Sequence, residues 1–161
     1  MSHYTFIASD YELPEVSNPN VETITVREAI NRGIEPHELI PWEEMNPDDQ
    51  VLVFENEEDL YELEIRKEDE LYDDVGWYTE KPYIYAVEFN YTEKRANELL
   101  EYLKTNIKKG YTLELWTILL DYNKDIQPTI RNHSTISLHD IVEIFNSDNE
   151  NWEPNNCIVI E

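Results

Sequence analysis

Apolar positions in residues 93–108 recur at helical spacing. Ala96, Leu99, Leu100, Leu103 and Ile107 form one stripe, which predicts an amphipathic helix. Thr92 is placed to cap its start. Lys104, Lys108 and Lys109 lie late, where cations complement the helix dipole, and Gly110 ends the helix. Before it, 83–89 reads as a strand. After it, 111–120 sets Leu113, Leu115 and Leu119 on one face and Trp116, Ile118 and Leu120 on the other. A strand apolar on both faces is expected at the centre of a sheet. A turn over 121–128 leads to a strand near 129–136. Ser137 then caps a short helix with Leu138, Ile141, Val142 and Phe145 inward, and 157–160 is a closing strand.

The first half is less regular. Residues 4–8 read as a strand, followed by a polar, proline-bearing stretch to 19. Thr25-Val-Arg-Glu28 fits a capping box, and Gly33 suits the left-handed position after a short helix over 26–32. Three prolines in 34–50 imply turns. Residues 51–54 read as a strand, and 60–66 alternate like a strand wet on one side. Residues 67–82 form an acidic loop whose Tyr72, Trp77 and Tyr78 imply docking on the fold.

Residues 83–161 therefore run strand–helix–strand–strand–helix–strand. That order is the ferredoxin-like, split βαβ arrangement of an α+β protein. The N-terminal strands and short helix are expected to extend or flank its sheet. The chain of 161 residues is most simply one domain, 1–161, with an acidic half (1–82) and a regular scaffold half (83–161). A domain of this length can bury roughly 68–70% of its unfolded surface, so it needs no crosslink. No repeat or low-complexity linker interrupts it.

Charge alters this picture. The chain carries 36 Asp and Glu against 12 Lys and Arg, a net of −24. Acid excess often signals disorder, but 12% of these residues are aromatic and 40% hydrophobic, so the acids are expected to coat a packed domain. The excess is uneven. Residues 1–82 hold 23 acids and 5 bases, whereas 83–161 hold 13 and 7. The densest stretch, 43–74, holds 15 acids against Arg66 and Lys67. Such a surface disfavours direct nucleic-acid binding and anionic membranes, and favours basic partners.

Residues 1–10 have no basic region before a long apolar run, so no signal peptide is expected. No apolar stretch is long enough for a membrane span. With one cysteine, Cys157, an intrachain disulfide is excluded. The expectation is a small cytoplasmic, bacterial protein, with its oligomeric state left open.

Catalytic motifs are sparse. Three glycines, two of them at helix ends, leave no dinucleotide fingerprint or phosphate loop, and no cofactor is expected. Asp121, Asn123 and Asp125 begin like a calcium loop, but Ile126 stands where the loop needs Gly and Asn132 where it needs Glu. An Asx-rich turn is the simpler reading. His3, His37, His133 and His139 lack metal-ligand spacing, and Cys157 sits in an apolar strand. Glu64 and Arg66 on a strand, with Asp48, Asp49 or Glu55 before them, imitate a metal nuclease, which an acidic surface does not suit.

The sequence thus leans away from an enzyme and singles out one candidate surface. Trp42, Glu43, Glu44, Asp48, Asp49, Glu57, Glu58, Asp59, Tyr61, Tyr72, Asp73, Asp74 and Trp77 combine carboxylates, which steer and accept from basic groups, with aromatic anchors. The leading expectation is a non-enzymatic module that binds a basic protein, as an inhibitor or immunity-type protein would. A DNA mimic occupying a nucleic-acid-binding protein is the first alternative. A divalent-metal-dependent hydrolase or nuclease is the second. A solvated charged face over a core that uses these rings itself is the plain reading beside all three.

Overall fold

The computed structural model describes residues 2–145 and 155–161. Clustering of neighbouring residues divides the chain into two compact units. One comprises Met1–Ser17 with Leu63–Glu161, and the other Asn18–Glu62. The sequence halves meet at 82/83, so this division falls elsewhere.

The larger unit is a mixed α+β structure. Its strands are β1 (His3–Ser9), β4 (Glu64–Lys67), β5 (Tyr83–Glu88), β6 (Leu113–Leu119), β7 (Thr129–Arg131) and β8 (Asn156–Ile160), and its helices are α2 (Glu93–Asn106) and α3 (Leu138–Phe145). The strands form one sheet in the order β4-β5-β1-β6-β8-β7. β1 runs antiparallel to both neighbours, with Phe6 opposite Ala86 on one side and Trp116 on the other. β5 and β6 are thus parallel to each other across β1, and α2 is the crossover between them. β7 and β8 pair in parallel, and α3 joins them. At the β4 edge, Val16 bridges Ile65 through backbone hydrogen bonds in both directions.

The expected element order of 83–161 is present, but a ferredoxin-like arrangement is not confirmed. β1 occupies the slot between β5 and β6, and the sheet contains a parallel pair. Periodicity fixes which face a side chain takes, not which strand lies alongside, so this order could not be read from it.

Each sheet face has its own core. Ile7, Tyr85, Leu113, Leu115, Ile158 and Ile160 pack under α2 and α3, against Leu99, Leu103, Ile141 and Ile144. Phe6, Ala8, Ile84, Trp116, Ile118 and Cys157 line the opposite face with Val75. The predicted α2 stripe is the buried one, and Thr92 Oγ1 accepts from Arg95 N at its start. At α3, Asp140 takes the capping role: its Oδ2 accepts from Ser137 N at 2.9 Å. Inward positions of α3 include Ile144, absent from the expected set, while Val142 is only half-buried. α2 stops at Asn106 with an extended Ile107 as its C-cap, so Gly110 does not end the helix as expected; its φ of 86° serves the following turn, closed by Tyr111 N donating to Lys108 O.

The smaller unit contains β2 (Glu22–Thr25), α1 (Val26–Asn31) and β3 (Gln50–Val53). β2 and β3 pair antiparallel, with Ile24 opposite Val51. Ile24, Val26, Ala29, Trp42 and Val51 form its core. Thr25 caps α1 as expected, accepting from Glu28 N. The second half of the capping box is not used, because Glu28 Oε1 accepts from Arg32 at 2.7 Å instead. Arg32 also forks onto both oxygens of Glu22, which holds that carboxyl below its usual range. β2 was not expected. The strand expected at 60–66 is reduced to β4, since Glu57–Tyr61 forms a 3-10 turn. No helix among the described residues is long and apolar enough to cross a membrane.

Candidate protein-binding surface

The thirteen candidate residues fall in both units. In the smaller unit, Trp42 is 6% exposed and belongs to the core beside Met45. This corrects its assignment to a partner surface: burying the indole is what gives so small a unit an apolar centre. Asp48 Oδ1 is 2.8 Å from Arg27. Asp59 Oδ2 accepts from Asn56 N at 3.0 Å, closing its own turn, and Tyr61 is half-buried. Glu43, Glu44, Asp49, Glu57 and Glu58 are exposed.

In the larger unit the candidates sit on one strap, residues 72–78, laid over the sheet face opposite the helices. The strap is tied at both ends by rings. Tyr72 meets Tyr4 edge-on at 5.0 Å, and Tyr78 packs on Trp116 at 5.5 Å. Between them Tyr4 stacks on Phe6 and Phe6 on Trp116, so five rings form a continuous row. Burial, reinforced by the charge of Glu68, pushes the Tyr4 phenol above its ordinary value.

The middle of the strap is tied as well. Val75 is buried in the sheet core. Asp74 is only 7% exposed, and its Oδ2 accepts from Asp121 N at 2.6 Å. Asp74 is therefore a structural acceptor and not part of a docking face, a second correction. Asp121 takes a left-handed φ of 62°, which an aspartate at a turn tolerates. Tyr78 Oη donates to Tyr122 O and accepts from Lys124 N. These bonds join the strap to the 121–125 turn.

This framework leaves Trp77 at 50% exposure and Tyr72 at 54%, with Asp73 exposed between them. Residues 68–80 include six acids and no base. Two large rings are thus left exposed on a tied segment within an acidic surround.

Glu114 escaped sequence reasoning, although it carries a signal. It is the one charge in the run 113–120. Its Oε1 accepts from Thr79 Oγ1 at 2.7 Å and Trp116 Nε1 at 3.0 Å. Cys157, opposite Trp116, has a thiol pushed well up by burial and then by the Glu114 charge. Among the described residues, no three His, Cys, Asp or Glu side chains converge as a metal centre would need.

No known protein family, characterised protein or solved structure matches this chain.

Proposed function

We propose that this chain is a non-enzymatic binding module for a basic protein, of the inhibitor or immunity type. The observation that carries this reading is the strap. Trp77 stays exposed although the Asp74 bond and the Tyr78 ring contact fix the segment on both sides of it, and Tyr72 stays half in solvent while its own ring edge meets Tyr4. Exposed rings on a rigid support lose little entropy on docking, and the acids around them attract and orient a cationic face. The exposed acids of the smaller unit add to the long-range field without supplying anchors.

The test is capture on the immobilised full chain, compared with the Tyr72→Ala/Trp77→Ala pair. Basic proteins are expected to be retained at low ionic strength and released as salt is raised. The double variant is expected to lose about 2 kcal/mol or more per anchor, roughly 30-fold in affinity for each. Capture indifferent both to salt and to the two rings overturns the reading.

A further inference from the structure

We infer that the cleft floored by Glu114 receives an arginine side chain of the partner. This deepens the proposed function and rests on it. Immediately after Trp77 the chain forms one wall of a shallow, open cleft of about 450 Å³, lined by Asp10, Tyr78, Thr79, Glu80, Lys81 and Glu114.

Glu114 is half-buried on β6, the strand paired with both β1 and β8. Its Oε1 is fully used by Thr79 and Trp116. Its Oε2 accepts no hydrogen bond among the described residues, and no basic side chain there forms an ion pair with it. The lysine in the cleft does not serve it. Lys81 Nζ is 2.7 Å from Asp10 Oδ2, and its side chain is only 12% exposed. Oε2 is not sealed from water, so it stays open to a cation that completes the carboxylate.

The surroundings favour guanidinium over ammonium. Tyr78 is held by bonds to Tyr122 and Lys124, so its ring is a fixed wall. A planar guanidinium can lie against a ring face while its several N–H groups reach more than one acceptor. Here those acceptors are Glu114 Oε2 and the exposed Glu80. An ammonium is a compact, strongly hydrated charge and cannot do both.

The test uses the ¹⁵N-labelled full chain with two peptide probes of equal length and charge, all-arginine and all-lysine. The Trp116 indole N–H donates to Glu114, so its cross-peak reports on that carboxylate without any mutation. The arginine probe is expected to move this peak saturably and to bind more tightly than the lysine probe. Glu114→Gln keeps an oxygen for Thr79 and Trp116, and is expected to cost about tenfold in arginine-probe affinity while leaving the lysine probe unchanged. An unmoved Trp116 peak, or equal binding of the two probes, overturns the inference. If binding depends on Trp77 but not on Glu114, the broader reading stands and this one falls. If free arginine amide binds as tightly as the peptide, the cleft takes a small guanidine and the assignment to a protein partner fails.

Discussion

At the scale of single residues, Trp42 and Trp77 share a side chain and an acidic neighbourhood, yet they are used oppositely. Trp42 packs with Ile24, Val26, Ala29 and Val51, whereas Trp77 is half in solvent at the end of a fixed strap. Truncating Trp42 removes the largest side chain of its unit's core, so Trp42→Ala is expected to cost about 3–5 kcal/mol there. Trp77→Ala is expected to change stability by no more than about 0.5 kcal/mol. Denaturant unfolding followed by circular dichroism separates the two, and equal losses would mean that Trp77 also serves a core. This contrast marks the limit of what could be read from the candidate site. That Glu43, Glu44, Glu57 and Glu58 are exposed was legible, since carboxylates rarely leave water. That Trp42 and Asp74 are buried was not, because a ring beside acids has the same local pattern whether it faces in or out.

At the scale of elements, the weakest-looking piece is held by the most specific contact. β7 is three residues long and, among the described residues, lies at the sheet edge and pairs only with β8. Arg131 Nε donates to Asp140 Oδ1 at 3.1 Å, while Asp140 Oδ2 accepts from Ser137 N. One buried carboxylate thus ties the strand to the start of α3. Asp140→Ala removes the acceptor of Arg131 Nε and of Ser137 N and Oγ, and is expected to cost about 2 kcal/mol. Amide exchange should quicken first in β7 and the first turn of α3, and uniform quickening across the sheet would contradict this local role. Element legibility followed the length of the pattern. α2 and β6 were evident because many positions repeat one rule. β2 was not, because four residues ending in a helix cap give alternation nothing to accumulate over. Residues 60 and 61, the start of the strand expected over 60–66, misled for a related reason. Their apolar positions, Leu60 and Tyr61, belong to a 3-10 turn, and only Leu63 and Ile65 continue as buried positions.

At the scale of the whole molecule, acids outnumber bases 36 to 12, so at most a third can be paired one to one. Several pairs that do form, Arg27–Asp48, Arg66–Glu88 and Lys94–Glu98, are exposed. Such pairs are worth about 0–1 kcal/mol each, so screening them costs less than screening the net repulsion gains. Raising salt from about 0.01 M to about 0.15 M shortens the screening length from roughly 30 Å to 8 Å. The melting temperature is therefore expected to rise over that range, and a flat or falling response would mean the acids are better compensated than their number implies. A different consequence follows from where β1 sits. It lies inside the sheet, between β5 and β6, although both partners come much later in the chain. During synthesis Phe6, Ile7 and Ala8 therefore emerge long before Leu113–Leu119 exists to enclose them. At ordinary elongation rates that interval is roughly 5–20 s. The central strand waits, apolar on both sides, for the ribosome to finish its neighbour. Closure of the sheet is thus a late, long-range event, and the nascent chain is most exposed to aggregation before β5 and then β6 have emerged to flank β1.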